Sequence, residues 1–186
     1  MRLLYPILFC LLLSCSVNTG HPTSNIKNKF DSLISIMPLR NLPVDFICGL
    51  PDGAGADNML VSDLSAYENF TPKNQNVLFG ILERTKNYTA VIYGESGDDI
   101  YPTLFIYDTL GNRIDSLSLI LSGCGGADES SIPVSTVHID QSLNILLTDT
   151  IQFIHYPDPH SKFIVDSIKI SVVRYHVDKT GIIVKD

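Results

Sequence analysis

Tryptophan is missing from this chain, methionine occurs three times and cysteine four times, and acids outnumber bases twenty to thirteen. Each shortage argues against a class of function. Without tryptophan the best sugar-stacking side chain is gone, and that role would fall to the eight tyrosines. A net charge of −7 with no basic patch and no arginine–aromatic cluster repels phosphate backbones, so no nucleic-acid partner is expected. Also absent are the His-Glu-x-x-His zinc pattern, the EF-hand spacing, a nucleophile elbow and a P-loop.

What is present begins with the leader MRLLYPILFCLLLSC, which holds one cation at Arg2 and an apolar run from Leu3 to Leu13. A spanning helix needs about twenty apolar residues, so this shorter run is expected to be an export signal that is removed. Leu12-Leu13-Ser14-Cys15 resembles the lipobox of bacterial lipoproteins, in which a small residue precedes the cysteine that receives lipid. Leu13 departs from that pattern, which favours a small residue there, and the plain alternative is a secretory signal with an incidental Cys15. On the lipoprotein reading residues 1–14 are the signal peptide, Cys15 carries palmitate and other acyl chains, and the folded part is tethered to a membrane. The mature chain then has 172 residues, 12 bases and 20 acids, net −8, enough for one domain with its own core.

Two cysteines remain in the mature body, Cys48 and Cys124, each beside glycine. In an oxidising envelope a pair is more often bonded than free. Joined, they would close a loop of more than seventy residues and stabilise the fold by roughly 4 to 5 kcal/mol on the chain-entropy account.

Residues 15–24 are small and polar and suit a flexible tether, and 25–186 are expected to form a single β-rich domain. Phe30, Leu33, Ile34 and Met37 recur at helical spacing with Ser24 or Asn25 as a cap and Pro38 beyond, which predicts one short amphipathic helix over 25–37. Strands are predicted at 43–48, 77–84, 88–94, 103–107, 114–121, 133–139, 143–148, 163–177 and 182–185, with 151–156 either continuing the preceding strand or pairing anew, 49–57 a loop and 60–76 weakly patterned. In the 163–177 run Ile168, Ile170 and Val172 share one parity. Two turns match, Asp108-x-x-Gly111-x-x-Ile114 and Asp178-x-x-Gly181-x-x-Val184, which is best explained as one turn type used twice. The fold class is therefore mainly β: an antiparallel meander, as open sheet, sandwich or barrel, with one short N-terminal helix.

The succession TLFIYDTLGNRIDSL, GCGGADES, STVHIDQSLNILLTDTI and YHVDKTGIIVKD resembles small lipoproteins of Bacteroides-type bacteria over about 77–186. The resemblance implies an envelope lipoprotein with a mainly β fold and assigns no catalytic residue. Surface-bound lipoproteins of those bacteria often carry acids just after the lipidated cysteine. Ser16-Val-Asn-Thr-Gly20 has none, which implies an outer-membrane anchor facing the periplasm. The same bacteria attach O-glycans at Asp-Ser/Thr-apolar triplets, present here at Ser32, Thr109, Ser116, Thr150 and Ser167. Such a triplet is also what a turn leading into a strand looks like.

Three glycine-rich loops carry acids, including Asp98 and Asp99, and Asp128 and Glu129, whose carboxylates could converge on calcium. Solvated loops are the simpler reading, and no cofactor is expected. His138 alternates with Thr136 and Asp140 opposite Val137 and Ile139, so it should face solvent. Three functions stay open: a non-catalytic envelope module that binds or supports an envelope protein partner, an inhibitor or immunity-type lipoprotein that blocks a toxin or hydrolase, and an envelope hydrolase. The first is favoured because no motif of an enzyme is present.

Overall fold

A computed structural model describes residues 22–48, 59–60, 66–73, 75, 77–96, 100–123, 130–158 and 162–186. One helix, α1 (Pro22–Ile36), precedes ten strands: β1 (Val44–Ile47), β2 (Met59–Leu60), β3 (Val77–Arg84), β4 (Tyr88–Ser96), β5 (Ile100–Asp108), β6 (Arg113–Ser118), β7 (Ser131–Ile139), β8 (Asn144–His155), β9 (Ile164–Val177) and β10 (Ile183–Lys185). They form two antiparallel sheets and no closed barrel. The first runs β2-β3-β4-β5-β6 and the second β1-β7-β8-β9-β10, so each is a meander except that β1 joins the second sheet from far upstream.

Most element ends differ from the sequence reading by one to three residues, and β2 has no predicted counterpart. The helix begins at Pro22 and ends at Ile36, β6 ends at Ser118 rather than Leu121, and the two runs at 143–148 and 151–156 are one strand, β8. Asp149 and Thr150, which looked like a break, lie in unbroken register with Ser135 and Val134 of β7.

The sheets face each other across a core in which Phe79, Ile92, Leu104 and Ile106 of the first meet Phe46, Val137, Ile139, Ile145 and Leu147 of the second. On its other face the first sheet is covered by α1, whose Phe30, Leu33 and Ile34, with Met37 just beyond its end, pack on Leu78, Ile81, Val91, Tyr93, Phe105 and Tyr107. The layers are therefore helix, sheet, sheet. This explains why Val77–Leu82 is buried at every position instead of alternating: a strand covered on both sides needs apolar side chains on both parities. Gly80 leaves room for the chain beyond α1, since a Cβ there would collide with the Pro38 carbonyl. That carbonyl accepts from Ile81 N at 2.9 Å, which holds the chain leaving α1 against β3. Asp31 and Arg84, 2.6 Å apart, link helix and strand at the surface.

The turn shared by residues 108 and 178 has a third copy. In each, the aspartate carbonyl accepts from the amide three residues on, Gly111 at 3.1 Å, Gly181 at 3.0 Å and Leu143 at 3.1 Å. In each, Oδ1 also accepts two amides, from Leu110 and Asn112, from Thr180 and Ile182, and from Ser142 and Asn144. The last position is left-handed, with φ of 86° and 90° at the glycines and 55° at Leu143. This is the three-residue hairpin loop that ends in a left-handed residue. Leucine there costs about 1 to 2 kcal/mol of backbone strain. Its side chain is fully buried in the inter-sheet core, a gain of about 2 kcal/mol that offsets the strain.

Candidate functional site

Three features stand out: a cavity beside the helix, a polar node between the sheets, and the outer face of the second sheet. The cavity, about 720 Å³, lies between the first turns of α1, residues 69–72 and the β5–β6 hairpin. Its wall follows from packing. The Phe30 ring is tilted against Phe70 and Tyr107, with centroids 5.3 and 5.7 Å away, and the Tyr107 hydroxyl donates to the Phe70 carbonyl at 2.9 Å. Burial pushes the Tyr107 phenol well above its ordinary value, so it stays protonated. Gly111 lets the hairpin close on these rings, because a Cβ there would meet Phe30 and Phe70 at 2.7 Å. Lys29 and Arg113 stand at the rim, with the amides of Asn25 and Asn69 beside them. A smaller groove of about 180 Å³ is lined by Phe30, Lys27, Asp31, Arg84 and Lys86; Asp31 pairs with Arg84 there, and the two lysines leave that groove positive as well.

The polar node joins β1, β7 and β8. Cys48 is disulfide-bonded, its amide donates to the Ser135 carbonyl at 3.0 Å, and its Sγ accepts from Ser135 N at 3.4 Å. The Ser135 hydroxyl donates to buried Asp149 at 3.0 Å and lies 3.3 Å from the Gly123 carbonyl, while Ser122 donates to the same carboxylate. Asp149 is thus a buried acid satisfied by two hydroxyls, which pins the chain after β6 to the second sheet. Cys124 lies outside the described residues.

The outer face of the second sheet carries three rows with no charge. Ile47, Thr136, Thr148 and Val172 are paired in order across β1, β7, β8 and β9. Val134, Thr150 and Ile170 form the next row, and Ile132, Gln152 and Ile168 the last. Ile47 is 69% exposed, Ile168 58% and Ile170 64%. The charges begin one row away, at Asp45, His138 and Arg174. Among the described residues no element packs on this face.

Cys15, Asp98, Asp99, Asp128 and Glu129 lie outside the described residues, and among the described residues no group of three or more His, Cys, Asp or Glu could hold a metal. Four triplet hydroxyls, Ser32, Thr109, Ser116 and Ser167, belong to exposed residues, while half-buried Thr150 lies inside the uncharged face. The five acids of those triplets each have a partner in the fold. Asp31 pairs with Arg84, Asp108 holds its turn, Asp115 accepts from Ile183 N, Asp149 anchors the polar node, and Asp166 pairs with His155. His138 is exposed as the alternation required, and is bonded to Asp45 at 2.7 Å. His176 pairs with Asp186 at the same distance. No spacing in the sequence signalled the three His–Asp pairs, because each arises from cross-strand or terminal proximity. Among the described residues no serine hydroxyl is bonded to any of the three rings.

No helix among the described residues is long and apolar enough to cross a membrane. Compared with family models, curated proteins and solved structures, the chain matches none.

Proposed function

We propose that this chain is a lipid-anchored module of a bacterial cell envelope, held at the outer membrane facing the periplasm, that binds an envelope protein without catalysing a reaction. The leader supports the anchor: Arg2, the Leu3–Leu13 run, Ser14 and Cys15 fall in the order of a lipobox signal, and 15–24 supply slack between lipid and domain. The resemblance of 77–186 to small lipoproteins of Bacteroides-type bacteria favours the same compartment.

The observation that carries the binding reading is the outer face of the second sheet. Fully burying one such isoleucine is worth about 1.5 to 3 kcal/mol, so a surface with Ile47, Ile168 and Ile170 standing in water gains by being covered. The ten residues of its three rows hold no charge in a chain with 33 charged residues. The partner it suits is a protein surface that is itself apolar and uncharged, since a charged one would be desolvated without compensation.

A photo-crosslinking residue at Ile170 in the native host, with a second at exposed Lys179 as control, tests this. One envelope protein should be trapped at position 170 alone, and its binding to the purified chain should be lost in Ile168→Lys/Ile170→Lys. A trapped second copy of this chain, or equal binding by the double lysine variant, would sink the partner reading. The anchor has its own test, since Cys15→Ser should abolish labelling by radioactive palmitate. An intact mass carrying a glycan at Thr150 would place sugar on the face assigned to the partner and count against it.

A further inference from the structure

We infer that the 720 Å³ cavity beside α1 is a binding site for a small organic anion, a carboxylate carried on an apolar, ring-sized body. The volume falls in the range of small-molecule sites, about 300 to 1,000 Å³. The chemistry follows from which charges meet there. Lys29 and Arg113 come from elements far apart in sequence, and neither forms an ion pair among the described residues. No acid is among the described residues that line the cavity. The acids of the hairpin are engaged elsewhere: Asp108 accepts from Leu110, Asn112 and the Asn112 side chain, and Asp115 from Ser116 and Ile183. In a chain whose mature form is net −8, two unopposed cations lining this 720 Å³ cavity are contrary to the overall balance. They favour an anion, and the arginine fork favours a carboxylate.

The rest of the wall sets the body of the ligand. Phe70 and Tyr107 present aromatic surface, and Ile26 and Pro72 add aliphatic surface. Asn25 and Asn69 can donate to or accept from a polar substituent, as an amide can do either. The wall is largely pre-formed. Tyr107 is bonded to the Phe70 carbonyl, and Gly111 is pressed against Phe30 and Phe70, so binding costs little ordering of these groups. This inference is independent of the outer face of the second sheet, which lies on the other side of the sandwich from the helix.

The test uses the purified full chain in detergent and three probes: N-acetylphenylalanine, its neutral C-terminal amide, and cyclohexanecarboxylate. Saturation-transfer NMR and chemical-shift titration should find both acids bound, with N-acetylphenylalanine at least about tenfold tighter than its amide. The variant Lys29→Gln/Arg113→Gln should weaken the acids about tenfold or more while leaving the amide unchanged, and Arg113→Lys should restore part of the loss. Both residues are exposed, so an unchanged melting temperature will show that the double variant is folded. Absence of transfer to either acid at about ten millimolar, far above the affinity expected of a charge-assisted site, would overturn the inference. So would equal binding of acid and amide, or unaltered acid binding by the folded double variant.

Discussion

The two sheets have the same strand count and similar composition but different surroundings. The β2–β6 sheet is covered twice, by α1 on one face and by its companion on the other, and its middle strands are apolar on both parities. The β1–β10 sheet is covered once, and its second parity mixes Ile, Val and Thr with no charge over three rows. What the difference teaches is that an apolar parity can have two fates. In β3 both parities are apolar because the strand is packed on both sides, whereas in β9 Ile168, Ile170 and Val172 alternate with Ser167, Lys169 and Ser171 and stand in water.

Breaking the tie between the sheets should have the largest effect. Cys48 lies at the end of β1, and the chain after β6 reaches the same node through Ser122 and Gly123. On the proposal that the leader is removed and Cys15 is lipidated, Cys124 is the partner left for Cys48, and peptide mapping without reductant should find that link. Cys48→Ala should then cost about 4 kcal/mol in denaturant unfolding. A cost under about 1 kcal/mol would mean that the node holds without the bond.

Truncations sharpen the contrast of faces. Leu78 and Leu104 are both fully buried, one toward the helix and one toward the second sheet. Either one changed to Ala should cost about 3 kcal/mol, whereas Ile170→Ala should fall within about 0.5 kcal/mol of the parent in the isolated protein. Equal costs at all three positions would mean that the outer face is covered after all. Gly111→Ala comes next, at about 2 kcal/mol, because the methyl meets two rings and the left-handed φ is strained. It should also narrow the helix-side cavity, which the binding of N-acetylphenylalanine would report.

The smallest effect is that of pH. Hydrogen bonds hold the Asp108, Asp140 and Asp178 carboxyls below the usual range. At Asp108 they outweigh an opposing push from burial, whereas at Asp140 and Asp178 the leading cause is the bond from Asn144 or Thr180. A carboxyl lowered in the folded state contributes stability that is complete above its unfolded value and lost as pH falls through its folded one. The melting temperature should therefore be insensitive to these groups above about pH 5 and decline below about pH 4. Asp108→Asn should flatten that decline for the doubly covered sheet, and the pair Asp140→Asn/Asp178→Asn for the other. An undiminished acid slope in all three variants would show that other groups drive it.

Much of this fold was legible before any coordinates. The helix stripe of Phe30, Leu33, Ile34 and Met37 and the strands at 77–84, 88–94 and 133–139 fall where the pattern put them, give or take a few residues. The Asp-x-x-Gly turn was visible twice and missed a third time. Leu143 occupies the glycine place at residue 140's turn, held there by burial instead of by backbone freedom. Of the sites, the cavity and the uncharged face were not legible. Lys29 and Arg113 are more than eighty residues apart, and only the packing of hairpin on helix brings them to one rim.

By itself the sequence determined what acts over a few residues: helical or alternating periodicity, turn chemistry, and the sign of the charge. Tertiary structure alone decided whether an apolar parity is buried, because that depends on whether another element arrives to cover it. Ile168, Ile170 and Val172 carry the alternation of a core strand, yet they face water. Their fate was set by the side on which α1 docked, and no stretch of β9 encodes that choice.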